Sequence, residues 1–97
     1  MQYKKGQVID QIADFTNVGK DRSIMSRYLI LDTFTRRNQE FVKLYVIRGY
    51  IIEDTGDPLA DGTAFNKPGD IEEMCPEYMP SKSETDNNFY FEIINDV

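Results

Sequence analysis

Histidine is absent from this chain of 97 residues, tryptophan is absent too, and cysteine occurs once, at Cys75. Without histidine there is no Ser-His or Cys-His nucleophile and no imidazole ligand for a metal. A single cysteine excludes an intramolecular disulfide and fits a reducing compartment. Glu72, Glu73 and Glu77 surround Cys75, and Pro76 follows it. Negative neighbours oppose a thiolate, so the expectation is a structural cysteine. Long apolar runs are missing as well. Leu29-Ile30-Leu31 is typical of what there is, against the roughly 20 residues that span a bilayer. No apolar h-region follows Met1, so a cytoplasmic protein with no membrane contact is expected. Lys67-Pro68-Gly69 lacks the glycine spacing of a phosphate loop. Carboxylate pairs are plentiful, but an acid-base pair needs a deep cleft, which a domain this small seldom builds. The expectation is therefore a protein that is not an enzyme and needs no cofactor.

Basic residues are scarce in one half only. Residues 1–48 hold nine Lys/Arg against five Asp/Glu, a net of +4; residues 49–97 hold two against twelve, a net of −10. Such a field steers encounters with electropositive partners and says little about fold. The length suits a single domain, 1–97. Apolar residues make up 40%, including six Tyr and six Phe, enough to build a core and to argue against an acidic disordered tail.

Val8, Ile12 and Phe15 recur at helical spacing, with Ile9 and Ala13 widening the stripe and Asp10, Gln11 and Asp14 outside it. This predicts a helix over 5–17, stopped at Gly19. Residues 28–35 and 41–47 are rich in β-branched and aromatic residues and predict two strands, although a helix over 22–35 competes for the first. Arg36-Arg37-Asn38-Gln39 predicts the hairpin turn between them, with Asn38 left-handed. The second strand can run on through Arg48-Gly49 to Ile52, with Gly49 at a bulge or bend. Residues 53–69 read as turns. Asp70 followed by Glu73 has capping-box spacing and predicts a short helix over 70–74. Residues 81–88 read as polar loop, and 89–94 as a last strand added antiparallel to the hairpin. The expected fold is α+β: a small antiparallel sheet of about three to four strands, an N-terminal helix on one face, and a short second helix.

The acidic residues cluster. Glu53, Asp54, Asp57 and Asp61 fall in one loop, and Asp70, Glu72, Glu73 and Glu77 in the next element, with only Lys67 between. An EF-hand is excluded, because the twelfth position is Phe65 counted from Asp54 and Pro68 counted from Asp57, and neither supplies a carboxylate. No metal site is expected. On a helix, Glu73 and Glu77 would lie roughly 6 Å apart on one face. Carboxylates so spaced approximate a phosphate strand, since duplex DNA carries one charge per about 1.7 Å of axis. These eight residues are the candidate partner-binding set, with Phe65, Met74, Tyr78 and Met79 as apolar anchors.

In length, in the acidic stretch Glu53–Glu77 and in its α+β pattern the chain resembles the phage-encoded inhibitors that mimic DNA. Among these it is most similar to the small acidic anti-CRISPR proteins acting on type I-F surveillance complexes. The resemblance is one of class and carries no residue over by position. It implies an inhibitor in the host cytoplasm that occupies the Lys/Arg-lined DNA-recognition groove of a CRISPR effector complex without touching nucleic acid itself. Two alternatives stand beside it: an immunity-type protein for another basic partner such as a nuclease, and a β-sheet nucleic-acid binder using Arg36–Arg48.

Overall fold

The strand-forming segments pair into one antiparallel sheet. A computed structural model describes residues 2–49 and 66–95. Five strands, β1 (Val8–Ala13), β2 (Ser23–Arg36), β3 (Gln39–Arg48), β4 (Ile71–Met74) and β5 (Phe89–Ile93), stand in the order β4-β3-β2-β1-β5. Every neighbouring pair is antiparallel. Among the described residues there is no α-helix. Three 3-10 turns, Thr16–Val18, Pro76–Tyr78 and Lys82–Glu84, are the only helical pieces among the described residues.

The structure therefore overturns the α+β expectation. The predicted N-terminal helix is β1, between β2 and β5 in the middle of the sheet. An interior strand covered on both faces loses simple alternation. Here Ile9 is buried on one face, Asp10 and Ile12 on the other. Apolar residues at positions 8, 9, 12 and 13 then imitate a helical stripe. The predicted short helix at 70–74 is also wrong. Residues 71–74 form edge strand β4 on β3, alternating outward at Ile71 and Glu73 and inward at Glu72 and Met74. The last strand pairs with β1 at the far edge, not with the hairpin. The hairpin itself is as expected. Arg37 and Asn38 both have positive φ (51° and 63°), the two-residue turn whose twist suits flanking strands. The proposed extension through Tyr50-Ile51-Ile52 lies outside the described residues. Gly19 does end a turn, in the left-handed conformation, but a 3-10 turn.

Directly opposed residues share a face. Ile9, Tyr28 and Val46 form one inward row, and Ile30 with Leu44 the next. Val42, Met79, Phe91 and Tyr3 complete this core, each nearly or fully buried. Burial of such side chains contributes about 1.5–3 kcal/mol apiece. Tyr3 is tied down by its hydroxyl, which donates to the Met79 carbonyl. Gly49 lets a polar plug approach. A Cβ there would lie 1.9 Å from the backbone oxygen of Asn66. Asn66 is buried and donates through Nδ2 to the Tyr28 hydroxyl (2.6 Å) and to Ser26 Oγ (3.1 Å). No helix among the described residues is long and apolar enough to cross a membrane.

Candidate functional site

Of the eight candidate residues, Glu53, Asp54, Asp57 and Asp61 lie outside the described residues. The structure brings the other four to one edge of the sheet: Asp70 just before β4, Glu72 and Glu73 on it, and Glu77 in the 3-10 turn that follows. The helical spacing expected of Glu73 and Glu77 is not there. A strand turns Glu72 and Glu73 to opposite faces. Glu72 shares the inward row of Leu44. Burial first, and the charge of Asp70 second, push its carboxyl above the usual range. Glu73 faces outward and accepts from Arg36 Nη1 at 3.3 Å. Glu77 is exposed. Of the expected anchors, Met79 is buried in the core and unavailable, Met74 packs against the core, Tyr78 is exposed, and Phe65 lies outside the described residues.

On the face opposite the core the side chains form crosswise rows. At the hairpin end, Phe34 and Phe41 stack with centroids 5.5 Å apart, and the Arg36 guanidinium lies 5.2 and 5.6 Å from the two rings. Next comes the charged row Asp32, Lys43 and Glu73. A second ionic row lies further down: Glu92 on β5, Asp10 on β1, Arg27 on β2 and Arg48 on β3. Arg27 grips Asp10 with two bonds, Nε to Oδ1 at 2.7 Å and Nη2 to Oδ2 at 3.0 Å. The Asp10 side chain is only 4% exposed. That pair was unforeseen, because the helix reading placed Asp10 on a solvated face. The Phe34–Phe41 pair was legible, since a two-residue turn at 37–38 sets those positions opposite each other.

Asp14 is the other unforeseen centre. It accepts from the Thr16 hydroxyl and N–H and from the Tyr90 hydroxyl, and Lys82 Nζ stands 3.9 Å away. The Thr16 bonds chiefly, then that of Tyr90, hold its carboxyl down at about 2. Nearby, Tyr3, Phe91, Ile93, Ser81 and Lys82 line an open cavity of about 390 Å³ along the β5 edge. Among the described residues no three His, Cys, Asp or Glu side chains gather as a metal site. Cys75 is partly buried and unbridged.

The Asp14 carboxylate is pinned by the Thr16 and Tyr90 hydroxyls that donate to it. A comparison with known families, curated proteins and solved structures finds no match to this chain.

Proposed function

We propose that this domain is an acidic binding protein that docks on a Lys/Arg-lined surface, in the manner of the DNA-mimicking anti-CRISPR proteins it resembles, and acts in the host cytoplasm. One observation carries the reading: the charge of −10 over residues 49–97. Of its described carboxylates, Asp70, Glu72, Glu73 and Glu77 run along the β4 edge and the turn after it, while Glu84, Asp86 and Glu92 lie on β5 and the segment before it. On β4, burial first, and the charge of Asp70 second, raise the Glu72 carboxyl. An edge rimmed with carboxylates also resists pairing with stray strands. Contact with a basic groove would pair these carboxylates with cations and speed association.

The competing nucleic-acid reading is disfavoured by the same geometry. Arg36 lies over the Phe34 and Phe41 rings and bonds Glu73, so a base would have to compete with the guanidinium for the rings and with Glu73 for the guanidinium. Arg27 is spent on Asp10, and Lys43 lies in register between Asp32 and Glu73.

The test is competition on a purified type I-F surveillance complex. The wild-type protein should displace target DNA, more weakly as salt rises. Reversal of Asp54, Asp57 and Glu77 to Lys should abolish displacement, whereas Asp21→Lys/Glu40→Lys should not. DNA and protein bound together, or full inhibition by the triple variant, would sink the proposal. Asp10 and Asp14 are unsuitable controls, because both are held in bonds that the fold uses.

A further inference from the structure

The chain closes only half of the β5 edge. Asp14 N–H donates to the Asn88 carbonyl and Ile94 N–H to the Val8 carbonyl. Even-numbered residues of β5 therefore bond β1, and the main-chain groups of Phe89, Phe91 and Ile93 point away from the sheet. Phe89 N–H donates to Asn87 Oδ1, and Phe91 N–H to the Pro80 carbonyl. Past that bond the cover stops. The Phe91 carbonyl and the N–H and carbonyl of Ile93 bond no described residue. Phe91 is only 5% exposed, and an acceptor with so little access to water gains from a fixed donor. Beside this stretch lies the open cavity of about 390 Å³, with Tyr3, Phe91 and Ile93 as its apolar wall and Ser81 to Ser83 at one end.

We infer that the open half of β5 takes an extended peptide segment of a partner protein as a sixth, antiparallel strand, with an apolar–basic–apolar sequence. The backbone groups select the class of ligand. Acceptor, donor and acceptor stand along the edge at the two-residue repeat of a strand, about 7 Å, and a peptide backbone answers all three. The peptide residue opposite Ile93 exchanges two bonds with it, and the residue two further on donates its N–H to the Phe91 carbonyl. The side chains select the sequence. Ile93 opposes buried Ile9, and Phe91 belongs to the same core face, so the two peptide residues opposite them turn apolar side chains into the cavity. The residue between faces Glu92, which opposes Asp10 on the outward face. Glu92 is half-exposed and held by a single bond from Arg22 at 3.1 Å, so a Lys or Arg of the peptide finds a carboxylate directly across from it. Ser81 to Ser83 close the far end, which limits the paired stretch to a few residues. The inference does not rest on the acidic rim of β4, because β4 and β5 are opposite edges of the sheet.

NMR titration of the full chain with the blocked peptide Ac-Val-Lys-Val-Lys-Val-NH2 tests it. Binding with a dissociation constant below about 1 mM should shift the amide signals of Phe91, Glu92 and Ile93. The same peptide methylated at its valine nitrogens keeps every side chain and its charge but loses the donors, and should bind roughly tenfold more weakly or worse. Glu92→Lys removes only an exposed ion pair of small worth. It should reverse the preference, favouring Ac-Val-Glu-Val-Glu-Val-NH2 over the lysine peptide. No binding, shifts confined to the β4 rim, equal binding of the methylated peptide, or an unreversed preference in Glu92→Lys would each overturn the inference. So would shifts of the same amides with protein concentration alone, which would give the edge to a second copy of the chain.

Discussion

Replacing Gly49 with alanine should remove a large share of the stability of this domain. The new Cβ would sit 1.9 Å from the Asn66 carbonyl oxygen, where ordinary contact begins at 3.4 Å. Backbone or Asn66 must therefore move by about 1.5 Å, far up the repulsive wall. That motion breaks the Asn66 bonds to Tyr28 and Ser26. All three partners are buried, so the groups left behind find no water. Each stranded polar group costs about 1–3 kcal/mol, and the total should be about 4 kcal/mol. A domain of this size has roughly 5–15 kcal/mol to lose. Urea denaturation followed by tyrosine fluorescence reads it as a lower midpoint at unchanged slope. Gly19→Ala is the contrast. It meets nothing within 4 Å, although φ is +82°, so only conformational strain of about 1 kcal/mol is expected. If Gly49→Ala costs no more than Gly19→Ala, the Asn66 plug does not hold that side of the sheet.

Arg37→Asn/Asn38→Gly puts the preferred pair into a turn with both φ values positive, and should raise stability by about 1 kcal/mol. Thermal melting should show a gain of about 4–8 °C, and an unchanged or lower midpoint would count against that turn geometry. The Asp14 carboxyl, held down at about 2, favours the folded state at every pH above its unfolded value near 3.9. That contribution should fade as pH falls from about 4 through 2. An NMR titration of the Asp14 side chain with a midpoint near 4 would show that the Thr16 and Tyr90 bonds do not form in solution.

The local signals of this chain were readable where one face of a strand is solvated. Residues 41–47 alternate cleanly between buried Val42, Leu44 and Val46 and their outward neighbours, and the turn residues between β2 and β3 declare the hairpin. Reading failed where tertiary pairing overrides a local pattern. Asp70 and Glu73 do have capping-box spacing, yet four residues gain more from pairing with β3 than from one helical turn. A real capping box exists in the stretch read as loop: Ser81 and Glu84 bond reciprocally around the 3-10 turn at Lys82–Glu84. In β1, an aspartate buried by a cross-strand arginine has no signature in a single sequence, because its partner lies 17 positions away. The acidic cluster was visible as charge, but its arrangement depended on strand against helix, and so the Glu73–Glu77 spacing was misjudged.

The place of β5 bears on the order in which the molecule is assembled. Pairing of β1, β2 and β3 needs only neighbouring stretches of chain, whereas the seam between β1 and β5 joins distant ones. Its clasp, Val8 N–H to Asn95 Oδ1 at 2.6 Å, closes a loop of 87 positions. Loop closure of that length comes late, after nearby contacts have already formed. Until then β1 carries an open backbone edge beside Ile9 and Ile12, and a half-finished chain offers that edge to any other half-finished chain. The final segment therefore acts as a safety catch as well as a strand. A chain cut before Phe89 should be lost to aggregation sooner than one weakened in the core.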